Sequence, residues 1–252
     1  MPYTKNSDIN IYYEVEGEGP PLVMLHPFTG DLNDARKLGY VEALKDEYQI
    51  VLIDLIGHGK SDKPHNPEAY TVEEYGGDIT AVLDDIHVSS ANLMGWSGGG
   101  LHCLVFASQA KERVKSLILI GAGSQPGGID QLRPLFAGGV EEYMAIMEQS
   151  GPMSEYRKAQ MLANDFDAFN AILNSPSVEL DFTNALSDMT MPFLVLFGEN
   201  DQFYSPQKEK DRFSVVSDLT FIVLPEIDHF GSFTRIEMTL PHITEFLTRV
   251  NK

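Results

Sequence analysis

Residues 95–99 read Gly-Trp-Ser-Gly-Gly, the G-x-S-x-G pattern that exposes a nucleophilic serine on a tight turn. It directly follows a short apolar run ending at Met94 and directly precedes a segment of helical character beginning near Gly99. A sharp strand-to-helix turn crowds the backbone around Ser97, so its neighbours must be small. The helix start also offers free N–H groups to a developing oxyanion. A serine hydroxyl is a weak nucleophile until a base takes its proton, and that base must be oriented by a third group. The sequence offers Asp201, in Phe197-Gly198-Glu199-Asn200-Asp201, and His229, in Pro225-Glu226-Ile227-Asp228-His229-Phe230. Each lies just past a short apolar run, where a loop leaves a strand.

Rivals have simpler explanations. Glu199 and Asp228 read as solvated loop carboxylates. His26 and His58 read as loop-shaping residues, and His65, His87, His102 and His242 as surface or satisfied, partly buried histidines. No His/Cys spacing of a metal site groups them, and Gly98-Gly99-Gly100 does not supply the G-x-G-x-x-G of a dinucleotide loop. The expectation is chemistry without a metal or cofactor.

The elements that must position these residues are short apolar runs: Leu22-Val23-Met24-Leu25, Ile50-Val51-Leu52-Ile53, Ala91-Asn92-Leu93-Met94, Leu117-Ile118-Leu119-Ile120, Phe193-Leu194-Val195-Leu196 and Phe221-Ile222-Val223-Leu224. Such runs suit strands of a parallel sheet buried on both faces, whereas residues 9–15 alternate like an exposed strand. Between the runs, Tyr75, Ile79, Val82 and Ile86, and then Leu101, Leu104 and Val105, trace apolar helix stripes. Together they predict a doubly wound, mostly parallel α/β sheet with its site beyond the carboxyl ends of the strands. Residues 124–191 contain no such run and read as an inserted helical cap, leaving 1–123 and 192–252 as the core domain. Val140, Tyr143, Met144 and Met147 form one stripe in the cap; Leu162, Phe166, Phe169 and Leu173 form another. These side chains either pack the cap or line an apolar substrate pocket. Pro126-Gly127-Gly128 and Gly138-Gly139 are candidate hinges.

The formal net charge is -19, which argues against nucleic acid as a partner. A single cysteine, Cys103, precludes an intramolecular disulfide. With no apolar run of membrane-spanning length and no secretory-type start, the expected location is cytoplasmic, with no membrane association.

At this point the chain resembles the capped α/β-hydrolases of the esterase, haloperoxidase and proline iminopeptidase type. The matching segments are Leu25-His26-Pro27-Phe28, Asp54-Leu55-Ile56-Gly57-His58-Gly59-Lys60-Ser61, the Ser97 elbow, Gly198 to Asp201, and Asp228-His229-Phe230. They span nearly the whole chain except the cap. The resemblance implies the chain order serine, acid, histidine, and an oxyanion hole made by the backbone N–H groups of Phe28 and Gly98. Pro27 stands where the family usually has glycine; it lacks an N–H, but the next one, on Phe28, survives. Serine at the elbow sets aside dehalogenase and epoxide hydrolase chemistry, which need aspartate there. The implied activity is hydrolysis of a small to medium lipophilic carboxylic ester or lactone through an acyl-enzyme. Two alternatives stay open. One is an iminopeptidase, whose substrate amine could meet the cap's ten Asp/Glu against three Lys/Arg. The other is a ligand receptor with a slow triad. Peracid formation would use the same residues.

Overall fold

The computed structural model describes residues 3–150 and 153–252. The chain runs β1 (Tyr3–Asn6), β2 (Ile9–Glu16), β3 (Pro21–Leu25), α1 (Asn33–Lys37), α2 (Tyr40–Leu44), β4 (Gln49–Ile53), α3 (Val72–Asp85), β5 (Ala91–Trp96), α4 (Gly98–Gln109), β6 (Val114–Ile120), α5 (Ile129–Ala137), α6 (Gly139–Ser150), α7 (Glu155–Ala163), α8 (Phe166–Leu173), β7 (Phe193–Asn200), α9 (Pro206–Phe213), β8 (Leu219–Asp228), α10 (Gly231–Thr234) and α11 (Ile236–Val250). The eight strands lie in the order β1-β2-β4-β3-β5-β6-β7-β8. β2 is antiparallel to both of its neighbours, and every pair from β4 to β8 is parallel.

Alternate residues of each central strand serve opposite faces, as the two-residue period of extended backbone requires. Val23, Leu25, Val51, Ile53, Leu117, Leu119, Phe193 and Val195 join one core with α3 and α4. Leu22, Met24, Ile50, Leu52, Ile118, Ile120, Leu194 and Leu196 join the other with α1, α2 and α11. Each such side chain removed from water stabilises the fold by about 1.5–3 kcal/mol. The expected doubly wound sheet is therefore present, and the apolar runs of β3 to β7 reflect burial on both sides; the run Phe221 to Leu224 differs, because β8 is an edge strand and Val223 is 41% exposed. β1 was not foreseen in the sequence. It is an edge strand with no buried residue, so it has no apolar signature to read.

Between β6 and β7 lie α5 to α8, whose own cluster contains Phe136, Tyr143, Met161, Phe166, Phe169 and Leu173. The stripe expected from Leu162 to Leu173 belongs to two helices, not one. Asp165 ends the run between them and caps α8, its carboxylate accepting from the N–H groups of Asp167 and Ala168. Leu162, on α7, is 63% exposed. Among the described residues no helix is long and apolar enough to cross a membrane.

Candidate active site

Ser97 sits between β5 and α4 with φ 48° and ψ -113°, a strained conformation costing about 1–3 kcal/mol that lifts the side chain above the turn. Its backbone N–H donates to the Ile120 carbonyl at 2.9 Å, tying the turn to β6. A Cβ on Gly95 would run into the Gly99 carbonyl oxygen, and one on Gly99 into the Leu25 carbonyl oxygen. The small residues flanking the serine are thus required by backbone-to-backbone approach.

β7 and β8 deliver the other two residues. Asp201 follows the end of β7, where Oδ1 accepts from the N–H groups of Phe203 at 2.9 Å and Tyr204 at 3.0 Å. Its Oδ2 lies 2.8 Å from His229 Nδ1, and both side chains are almost wholly buried. His229 Nε2 lies 3.0 Å from Ser97 Oγ. The carboxylate fixes the proton on Nδ1 and leaves Nε2 free to accept from the serine. The His229 backbone carbonyl accepts from Ser232 Oγ at 2.6 Å, which anchors the residue, and Phe203 stands edge-on to the imidazole at 4.7 Å between centroids. The rival carboxylates are engaged elsewhere: Glu199 accepts from Glu226 N and Asp228 from Gly231 N.

Phe28 and Gly98 are also brought together. A Cβ on Gly98 would stand 3.1 Å from Phe28 N, and Gly98, as first residue of α4, has no intrahelical acceptor for its own N–H. The Phe28 turn is clamped from α7 and its C-cap. Thr29, at φ 69°, has a carbonyl that accepts from Asn164 Nδ2 at 2.9 Å and Arg157 Nη1 at 3.1 Å, while Arg157 Nη2 donates to its hydroxyl. Gln160 Nε2 adds bonds of 2.9 Å to Asp31 and Asp34. Sequence reading did not pick out Arg157 or Asn164, because nothing local marks a contact made with a loop so distant in the chain.

The loop from Asp54 to Ser61 buttresses the site. Asp54 accepts from Leu32 N and Lys60 N, each at 2.8 Å, and Ser61 Oγ donates to the Asp54 carbonyl at 2.5 Å. His26 Nδ1 lies 2.9 Å from the Pro27 carbonyl, and its Nε2 accepts from Leu55 N at 3.1 Å, which is a loop-shaping role.

Beside Ser97 opens a cavity of about 100 Å³, walled mainly by apolar groups including Phe28, Leu101, Ile129, Leu132, Ile172 and Leu173. Among the described residues no Asp, Glu, Lys or Arg lines it, so none of the described acidic residues between β6 and β7 faces this space. Two histidines do, and one departs from expectation. His102 is neither on the surface nor satisfied: it is 7% exposed, stacked on Tyr75 at 4.0 Å, and its Nδ1 has no hydrogen-bond partner among the described residues. His58 donates through Nδ1 to the Ile56 carbonyl at 3.0 Å, and its Nε2 is likewise unpartnered. Burial pushes the His102 pKa down to about 3 and that of His58 well below the usual histidine range. The sequence signal for His102 was a lone histidine within an otherwise apolar helix stretch.

Folding also groups His65, Asp165 and Asp167, whose potential ligand atoms lie within 4.8 Å of one another, which linear spacing could not reveal. His65 is more than half exposed and ion-paired with Asp165 at 3.0 Å, a bond that raises its pKa. None of the three lines the cavity.

The family described as alpha/beta hydrolase fold matches residues 20–222, and the chain belongs to that family. Among individual proteins, the chain is 25% identical over 258 residues to the pimeloyl-(acyl-carrier protein) methyl ester esterase of Vibrio campbellii, covering 94% of this chain and 98% of that one. Its structure is similar to that of the enol-lactonase from Burkholderia xenovorans LB400, with TM-score 0.85 and 20% identity over 98% of this chain and 100% of the other. It is also similar to a thermophilic esterase from Thermogutta terrifontis, with TM-score 0.82 and 22% identity over 97% and 95% of the two chains.

Proposed function

We propose that the protein is a serine hydrolase that cleaves small to medium lipophilic carboxylic esters, lactones included, with Ser97 as nucleophile, His229 as general base and acid, and Asp201 as orienting carboxylate. The observation that carries this reading is the continuous chain of contacts from Ser97 Oγ to His229 Nε2 at 3.0 Å and from His229 Nδ1 to Asp201 at 2.8 Å.

As Ser97 Oγ attacks the carbonyl carbon, its proton passes to His229 Nε2, and Asp201 stabilises the resulting imidazolium. Negative charge gathers on the carbonyl oxygen, where the N–H groups of Gly98 and Phe28 receive it. The intermediate collapses, the alkoxide leaves with the proton from His229, and Ser97 keeps the acyl group. A water then gives its proton to His229 and attacks the acyl carbon, and the acid departs as Ser97 recovers its hydrogen. Residues 124–191 act as a cap over this centre, and α5 and α8 contribute Leu132, Ile172 and Leu173 to the cavity wall. Relatives named for ester and enol-lactone cleavage support the reaction class. An uncharged cavity wall favours an ester over a substrate with a free amine, which would enter as a cation and meet no carboxylate. A cytoplasmic setting fits a chain whose single cysteine, Cys103, is buried.

The test is a kinetic panel of aryl esters of graded acyl length, lactones and a prolyl arylamide, run on the wild type and on Ser97→Ala. Turnover of esters or lactones that falls to background in the variant is the expected result. Retained ester cleavage by Ser97→Ala would remove the nucleophile from the scheme, and a preference for the arylamide would replace the ester reading with a peptidase one.

A further inference from the structure

The cavity beside Ser97 is lined mainly by apolar residues; His58 and His102 are among the exceptions, and each carries a buried nitrogen, Nε2 and Nδ1 respectively, with no partner among the described residues. Leaving two such groups unpaired is costly, and the structure does nothing internally to relieve it. Their chemistry can be read further. His58 Nδ1 is committed as a donor to the Ile56 carbonyl, so His58 Nε2 carries a lone pair and asks for a donor. Among the described residues no hydrogen bond at His102 Nδ1 sets its role, so this atom can donate or accept. A hydroxyl group, donor and acceptor at once, suits either atom. A carboxylate does not suit the pair, since it brings no donor to His58, and among the described residues no cationic side chain lines the space to offset its charge.

Position supports a substrate contact. Ser97 precedes α4 and His102 lies five residues on, about 7 Å along the helix axis. A polar group a few bonds from the reacting carbonyl spans that distance. Leu101, one position before His102, and Phe28 line the same cavity, so the path between the two ends is apolar.

We propose that His58 and His102 form an uncharged polar subsite that binds a hydroxyl group on the acyl chain, making hydroxyacyl esters the preferred substrates. This deepens the ester hydrolase reading and rests on it. Both rings stay neutral through the working pH range because burial opposes their protonation. The preference therefore does not vary with pH.

The experiment compares 4-nitrophenyl esters matched in shape: 3-hydroxybutanoate with 3-methylbutanoate, and 6-hydroxyhexanoate with heptanoate. The bulky leaving group is shared, so the acyl chain is what enters the narrow cavity. In water alone the hydroxyl makes burial harder, so a preference for it reports a built partner. The wild type is expected to favour the hydroxylated member of at least one pair by about tenfold or more in kcat/KM, with the ratio unchanged between about pH 6 and about pH 9. His102→Leu brings that ratio to about one or below, and His102→Gln, which keeps a hydrogen-bonding side chain, retains part of it. Each ratio is read within one preparation, so partial misfolding cancels. Equal or greater efficiency on the alkyl member of both pairs in the wild type would overturn the proposal, even if the variants failed to fold, and so would a ratio unmoved in His102→Leu. Absence of any ester cleavage would instead strike the underlying hydrolase reading.

Discussion

Asp201 uses both carboxylate oxygens: Oδ2 faces His229 Nδ1 at 2.8 Å, while Oδ1 accepts from two successive backbone N–H groups, of Phe203 and Tyr204. The imidazole is therefore aimed by a group that is itself fixed by main chain.

Replacing Asp201 by Asn keeps the size of the side chain but presents either an amide N–H to Nδ1 or an amide oxygen without charge. The tautomer is no longer enforced and the imidazolium is no longer stabilised. Turnover of an aryl ester is expected to fall by about three to four orders of magnitude with KM changed far less. A loss below tenfold would mean that another carboxylate serves His229.

The clamp on Thr29 joins α7 and its C-cap to the turn that carries Phe28. Asn164→Ala removes one of the two side-chain donors to the Thr29 carbonyl and leaves Arg157 in place. Loss of an entire oxyanion donor costs about two to three orders of magnitude, so loosening its support should cost about tenfold in kcat, with little change in KM. Steady-state kinetics on a short-chain ester decides this; a change confined to KM would assign the clamp to substrate entry instead.

How far the sequence alone could go depends on how local each signal is. Ser97 was legible because its glycines, the strand before it and the helix after it are all neighbours in the chain. Asp201 and His229 were legible as candidates through the apolar runs preceding them, but their mutual distance is a property of the sheet, whose parallel pairing sets the carboxyl ends of β5, β7 and β8 on the same side. Leu162 misled because two helices separated only by Asn164 and Asp165 happened to keep one phase. Arg157 and His102 were not legible as site residues at all: their significance lies in what folding places opposite them, namely Thr29 in one case and no polar partner in the other.

Asp78 offers a stability measurement independent of catalysis. It is fully buried, accepts from Asn6 Nδ2 at 2.9 Å and Ile56 N at 3.3 Å, and has Glu74 nearby; burial raises its pKa from 3.8 to about 7. A folded-state value above the unfolded one means that the neutral carboxyl stabilises the fold. That contribution is complete below about pH 4 and is lost as the pH rises through about 7. Asp78→Asn, which cannot ionise, should gain on the wild type by about 2–4 kcal/mol between pH 4 and pH 8. Urea unfolding of both proteins across that range checks it; parallel curves would show that Asp78 does not titrate between them.

The most direct test of the central claim is covalent. The protein is treated with a fluorophosphonate ester, which phosphonylates only a serine activated by a neighbouring base, and the modified peptide is located by mass spectrometry. The account predicts one equivalent of adduct on Ser97, loss of ester hydrolysis in proportion to labelling, and no adduct in His229→Ala. Labelling of a different residue, or full hydrolytic activity with Ser97 stoichiometrically modified, would contradict it.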